Sequence, residues 1–412
     1  MNALLNRLTS FFSKNVARSF NVIGSYALSA IVLIGSLAIF NNNQSLANPE
    51  IITNFILIAG LAGGVELGLV KSYLVNTRKT KSQSFSITTL IEKVSLRACI
   101  PSVFIFLLWS NLDSDLGMLQ KFIFSYGFCL IGLLSSELRV IFDSIGFHSS
   151  AIWTKQGGIT LGILAFISSI YFGFGQSKSL IMYFLVRVFW LALLFYRYDK
   201  VRLPNKIVTF ANADIAGWRY MFGLSSLAVI GGNIDRIIVS YFLGANEVIT
   251  YFLIYEIFTK YWLIAYIINP IIFVRYTVNS ETSTSMRNLF QVLCSLSLIS
   301  VGILIAFVNY NPNFFNNIFN INISNLYIVV FFIAIAINGV TQSVSTVLQS
   351  WGRSENLVKI NMTVTVIMGL SFIYAIIEFG VNGLLVSWLI KSLFEVALVA
   401  SLFYRRKYEF LQ

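Results

Sequence analysis

The chain reads as a series of long apolar stretches separated by short polar connections. Twelve stretches are long enough to be spans: Ser19–Phe40, Ile51–Val75, Ser86–Trp109, Leu119–Phe142, Ala151–Phe172, Leu180–Tyr198, Trp218–Leu243, Val248–Val274, Leu289–Val308, Leu326–Leu348, Leu357–Ile377 and Val381–Tyr404. A helix needs about 20 apolar residues to cross the hydrocarbon of a bilayer, so the pattern predicts a membrane protein built of helices. The third stretch is the least apolar at its start. Glu92, Lys93 and Arg97 crowd its first turns, where long side chains can reach back to the interface.

The connections alternate in basic charge. One side collects Arg7, Lys14, Arg18, Lys71, Arg78, Lys79, Lys81, Lys93, Arg97, Arg139, Lys155, Arg197, Lys200, Arg202, Lys206, Arg219, Arg275, Arg287, Arg353, Lys359, Arg405, Arg406 and Lys407. The other side has Lys121 and Lys178. Basic loops stay in the cytoplasm, so both termini are expected there. A missed or extra helix would scramble every later loop, so the alternation also supports the span count.

The longest basic connection runs from Tyr198 to Gly217 and contains Pro204. It divides the chain into a six-helix lobe at 1–200, a linker at 201–216 and a second lobe at 217–412. The halves echo each other. Glu50-Ile-Ile-Thr-Asn-Phe opens the second stretch and Glu247-Val-Ile-Thr-Tyr-Phe the eighth. Ser144-Ile-Gly146 follows the fourth and Ser350-Trp-Gly352 the tenth. Six spans per half give both halves one orientation, and the repeat is then parallel about a pseudo-two-fold axis along the membrane normal. The expected fold is an all-α integral membrane protein of twelve transmembrane helices, in two six-helix lobes around a central cavity. Such a cavity suits alternating access.

Composition fits this picture. Charged residues make up 11% of the chain and hydrophobic residues 57%, with a mean hydropathy of +0.78, where a soluble domain carries about 25% charged residues. The net charge of +12 would suggest nucleic acid in a soluble protein. Here the basic loops account for it, and no nucleic-acid partner is expected. The first apolar run is long enough to remain as a span, so no cleaved signal peptide is expected. Cys99, Cys129 and Cys294 lie far apart in apolar runs, and the single His148 sits in a short connection. No cofactor or metal is expected from such spacing. The outer loops Asn41–Glu50 and Tyr310–Asn325 leave little room for the active site of a membrane-embedded glycan polymerase or ligase. No nucleophile–base constellation appears, so the chain does not read as an enzyme.

The informative residues are charges within the apolar stretches: Glu66, Glu137, Arg187, Asp235, Arg236, Glu256, Lys260, Lys391 and Glu395. A charge at the bilayer centre costs about 2.5–3.5 kcal/mol on insertion scales and calls for a wet cavity or a partner. Glu256 and Lys260 are four apart, as are Lys391 and Glu395, and residues at that spacing share a helix face. Two readings stay open for these pairs, mutual neutralisation or a functional role. Arg139–Asp143 has the same spacing near the interface and reads as structural. Arg187 and Glu66 have no opposite charge at helical spacing and need a cavity, water or another helix. Asp235 and Arg236 are adjacent and point about 100° apart. Arg187, Arg236, Lys260 and Lys391 come from four stretches in both halves, which suggests an anionic ligand. Guanidinium groups bind phosphate oxygens in pairs and Lys acts as a point charge, so a lipid diphosphate head group is the candidate. Asp235, Glu256 and Glu66 are candidates for coupling a proton or cation, or they serve only as structural counter-ions.

The run Asn233-Ile-Asp235-Arg236-Ile-Ile-Val-Ser-Tyr-Phe-Leu243-Gly244, with Tyr251 after it, resembles the start of the second lobe in Wzx-type O-antigen and capsule flippases. These belong to the multidrug/oligosaccharidyl-lipid/polysaccharide exporter superfamily. Gln349-Ser-Trp-Gly352 with Asn361, Phe379-Gly380-Val-Asn-Gly383-Leu and Glu66-Leu-Gly68 resemble other stretches of that family. The resemblance implies translocation of undecaprenyl-diphosphate-linked oligosaccharide repeat units from the cytoplasmic to the periplasmic leaflet. It implies a place in O-antigen, lipopolysaccharide or capsule synthesis in a bacterial inner membrane, with the polysaccharide polymerase machinery as a candidate partner. Asp235 and Arg236 lie within a matching motif, whereas Arg187, Lys260 and Lys391 rest on burial cost alone. A multidrug/cation antiporter of the same superfamily is the alternative, and it would favour acids and aromatics over a basic lining.

Overall fold

The computed structural model describes residues 16–42, 49–64, 66–67, 69, 87–112, 116–144, 148–200, 218–262, 265, 269, 283–350 and 354–409. Several expectations lie outside them: the linker at 201–216, the basic connections at 70–86 and 270–282, and the markers Ile145-Gly146 and Trp351-Gly352. The side chains of Asp143 and His148 are outside them too.

Every one of the twelve apolar stretches overlies a helix. In chain order these are α1 (Val16–Asn42), α2 (Pro49–Gly64), α3 (Ile87–Leu112), α4 (Met118–Ser144), α5 (His148–Tyr171) and α6 (Gln176–Lys200). Next come α7 (Trp218–Phe242), α8 (Ala245–Thr259) with a 3-10 turn at Lys260–Trp262, α9 (Ser283–Tyr310), α10 (Phe314–Phe319), α11 (Asn325–Ser350) and α12 (Ser354–Glu409). Five of the described helices are long and apolar enough to cross a membrane by length and composition. Some apolar faces are exposed, as on α9 at Leu298 and Ile303. Contiguous exposed apolar surface of this kind suits lipid rather than water. The protein is a multi-pass membrane protein.

The helices obey the physics of an apolar medium. Buried Ser and Thr hydroxyls turn back onto the carbonyl four residues earlier, as Ser135 does onto Ile131 at 2.7 Å and Ser169 onto Ala165 at 2.7 Å. Such bonds satisfy a hydroxyl without another partner. At the start of α8 the Gly244 N–H reaches the Glu247 carboxylate at 3.4 Å, which supplies an acceptor to a helix end that lacks one.

The 56 residues of α12 would span about 84 Å as a straight helix, well beyond the hydrocarbon thickness. It is not straight. Gly380 has φ 59° and ψ −147°, a conformation open essentially to glycine alone. The two arms, α12a (354–379) and α12b (381–409), correspond to the last two expected spans. The rings of Phe372 and Trp388 are 6.1 Å apart, where sixteen residues of straight helix would separate them by about 24 Å. The chain therefore reverses at Gly380. One element departs from the sequence expectation. The connection Tyr310–Asn325 contains the short helix α10, which ends at Asn320 in the left-handed conformation (φ 53°).

The chain divides into two compact units, residues 1–36 with 58–225, and residues 37–57 with 226–412. In the first, α3, α4, α5 and α6 pack in succession, and α4 also touches α6. Phe128 sits at their centre, 5.0 Å from Tyr183 and 4.8 Å from Phe184 between ring centroids. In the second, α11 packs against α8, α9 and α12. Its core is aromatic, with Tyr251, Phe252, Phe331, Phe372 and Trp388 fully buried.

Candidate functional site

In the second unit α7, α8 and α12b bring charged residues together. Asp235 on α7 is 0% exposed. Its Oδ2 accepts the Tyr251 hydroxyl from α8 and the Trp388 indole N–H from α12b, the latter at 3.0 Å. Its Oδ1 is buried without a hydrogen-bond partner among the described residues. Arg236, one residue on, faces another way, as the 100° step requires. Its Nη1 donates to Glu256 Oε1 at 3.1 Å and its Nη2 to Asn233 Oδ1. The guanidinium carbon lies 4.3 Å from the Tyr255 ring centroid, within cation–π range. Lys260 takes the second oxygen of Glu256 at 2.5 Å.

Lys391 has no carboxylate within ion-pair distance among the described residues. Its Nζ donates to the Gly231 carbonyl at 2.8 Å and stands 3.8 Å from the Trp388 ring centroid. A carbonyl oxygen has two lone pairs, so Gly231 can serve this ammonium and its own helix at once. Glu395 accepts from Asn338 on α11 at 2.9 Å, and Asn338 in turn accepts from Gln342. The cluster thus contains three acids (Asp235, Glu256, Glu395) and three bases (Arg236, Lys260, Lys391).

These contacts change two sequence expectations. Arg236 has no carboxylate partner assigned along the chain, but Glu256 is shared between it and Lys260. The i,i+4 pairing is present for Glu256–Lys260. For Lys391 and Glu395 it gives way to bonds with other helices, to the Gly231 carbonyl on α7 and the Asn338 amide on α11.

The first unit holds Arg187 and Glu66. Arg187, on α6, is 3% exposed. Its Nη2 reaches the Ser135 hydroxyl on α4 at 3.4 Å, and its guanidinium lies 5.8 Å from the Tyr183 ring centroid. Its Nη1 is buried without an acceptor among the described residues. Among the described residues no carboxylate comes within ion-pair distance of it. Gly162 on α5 leaves room for it, since a Cβ there would stand 3.1 Å from Arg187 Cδ and 2.7 Å from the Tyr183 ring. Glu66 lies beyond the end of α2. Its carboxylate is 3.5 Å from Lys155 on α5, and its backbone N–H donates to the Ser225 hydroxyl at 2.8 Å. Glu137 on α4 accepts the Leu69 N–H at 3.2 Å.

Asn233, Trp388, Asn338 and Ser135 are partners that the sequence alone does not single out. They are neutral, so burial cost does not flag them. Asn233 and Trp388 have a local signal, standing three residues before Arg236 and Lys391 on a shared helix face.

No protein-family model matches the chain, and no curated protein matches it in sequence. Solved structures do match. A mutant of the Vibrio cholerae MATE transporter VcmN aligns with a TM-score of 0.64 at 12% identity, covering 95% of this chain and 98% of that one. The MATE multidrug transporter DinF-BH aligns at 0.65 and 14% identity, covering 94% of each chain. The lipid II flippase MurJ, in an inward closed conformation, aligns at 0.62 and 11% identity, covering 92% of this chain and 86% of that one. The chain therefore has the fold that MATE transporters and the lipid II flippase MurJ share.

Proposed function

We propose that the protein is a flippase that moves undecaprenyl-diphosphate-linked oligosaccharide repeat units from the cytoplasmic to the periplasmic leaflet by alternating access, with ion coupling. The proposal includes twelve spans in two six-helix lobes about a pseudo-two-fold axis and a central cavity. It places the protein in a bacterial inner membrane with both termini cytoplasmic, serving O-antigen or capsule synthesis beside a polysaccharide polymerase. Arg187, Arg236, Lys260 and Lys391 bind the diphosphate. Asp235, with one carboxylate oxygen unpartnered among the described residues, is the first candidate for ion coupling, ahead of Glu256 and Glu66.

The observation that carries this reading is Arg187. A buried guanidinium with a spare N–H and no carboxylate among the described residues is costly unless an anion visits it. Phosphate oxygens suit that role. An inside-negative potential also favours outward movement of an anion by about 2.3 kcal/mol per charge per 100 mV. The likeness to a lipid II flippase supports a lipid-linked substrate by analogy of fold.

A multidrug/cation antiporter is the second reading. The three acids and three bases of the cluster, set among Tyr255, Trp262, Phe331 and Trp388, favour it. One deletion strain separates the two. Loss of the gene leaves lipid-linked repeat units on the cytoplasmic side if the protein is the flippase. A normal surface glycan with raised sensitivity to cationic drugs supports the antiporter instead.

A further inference from the structure

Glu256 divides its carboxylate between two cations. Oε1 accepts from Arg236 at 3.1 Å and Oε2 from Lys260 at 2.5 Å. This is the bonding that two oxygens of one phosphate group would make in the same place. The carboxylate does not use all that the cations offer. Arg236 Nε is buried and has no acceptor among the described residues. A phosphate, with a third oxygen, could take a further N–H of the Lys260 ammonium as well as the two donors that Glu256 occupies. The three side chains are unequally open. Those of Arg236 and Glu256 are 9% and 7% exposed, and that of Lys260 is 30% exposed. An incoming anion therefore meets Lys260 first and Arg236 behind it.

We propose that Glu256 is a resident counter-anion, which holds the place of a phosphate group between Arg236 and Lys260 and is displaced when a phosphate or diphosphate arrives. The inference rests on the flippase reading for the identity of the natural ligand. It explains why a site for an anionic head group carries its own acid. Two unpaired cations on neighbouring helices would repel each other and stay costly to bury. They would also hold a diphosphate too tightly to let it go. With Glu256 present, release of the head group is an exchange of one anion for another. The carboxylate thereby lowers affinity and speeds turnover, and it disfavours weak anions that cannot outcompete it.

The test measures binding to the purified full-length protein with two probes, inorganic pyrophosphate in detergent and undecaprenyl diphosphate in nanodiscs. Glu256→Gln keeps the shape and removes the competing charge, and it should tighten both by about tenfold. Adding Arg236→Gln to Glu256→Gln should cancel the gain. Glu256→Asp keeps the charge but is too short to bridge both cations, and should tighten binding by about threefold. If Glu256→Gln is not recovered folded, the Glu256→Asp measurement decides. If both probes tighten, the counter-anion role and the flippase reading stand together. If only pyrophosphate binds and tightens, Glu256 is a counter-anion for a soluble ligand and the flippase reading falls. Unchanged or weaker binding of every probe in a folded variant overturns the inference, whatever the protein transports.

Discussion

Trp388 donates its indole N–H to the carboxylate of Asp235 at 3.0 Å, across 153 positions of chain. The bond joins α12b to α7 inside an aromatic core. Trp388→Phe keeps most of the ring and removes the donor. Leaving a buried acceptor short of a partner costs about 1–3 kcal/mol. The melting temperature of the detergent-solubilised protein should fall accordingly. In a double-mutant cycle with Asp235→Asn, the two changes should couple by about 0.5–3 kcal/mol. Additive effects would mean that this bond contributes nothing.

Glu256 and Lys260 form a pair whose members should differ greatly in importance. Glu256→Ala leaves two cations without their carboxylate, and breaking a buried pair costs about 3–5 kcal/mol. Lys260 is partly exposed, so Lys260→Ala should cost no more than about 1 kcal/mol. Chemical unfolding of the two variants checks the ranking. Equal losses would contradict it.

Much of this was legible in the sequence, and the reason is the solvent. Lipid forces every spanning segment to be long, apolar and hydrogen-bonded within itself. The twelve stretches therefore found their helices without knowledge of packing. The reversal at Gly380 was marked by the glycine-flanked run Phe379–Gly383. The site was only half legible. Expensive charges named Asp235, Arg236 and Arg187, but not what they touch. Arg236 and Glu256 are twenty positions apart on different helices, so no spacing rule pairs them. The bond from Lys391 to the Gly231 carbonyl is equally invisible, because every residue has a carbonyl.

Gly380 and Gly60 should respond in opposite ways to alanine. Gly380→Ala forces a side chain into a conformation reserved for glycine, at a cost of at least about 1–2 kcal/mol. Gly60 lies within α2, and a Cβ there would meet nothing within 4 Å. Gly60→Ala should be neutral or stabilising by up to about 1 kcal/mol. Thermal melts of the two variants check the contrast. A stabilised Gly380→Ala would show that the reversal does not need glycine.

Gly162 gives the Arg187 side chain its room. Gly162→Ala would crowd both the Tyr183 ring and Arg187 Cδ. Overpacking of this kind costs about 1–3 kcal/mol. Glycan export should fall further in Gly162→Ala than in Gly60→Ala at matched amounts of protein in the membrane. Equal export by the two would separate the packing of Arg187 from transport.

The central claim is carriage of a lipid diphosphate past a buried cation. It is tested most directly in vesicles containing purified protein and a fluorescent undecaprenyl-diphosphate-linked glycan in both leaflets. Quenching from outside reads how fast the inner pool becomes accessible. Wild-type protein should expose that pool, and Arg187→Gln should slow exposure by about tenfold or more, a loss of about 1.4 kcal/mol of transition-state stabilisation. No exposure by folded wild-type protein, or an undiminished rate in Arg187→Gln, would contradict the account.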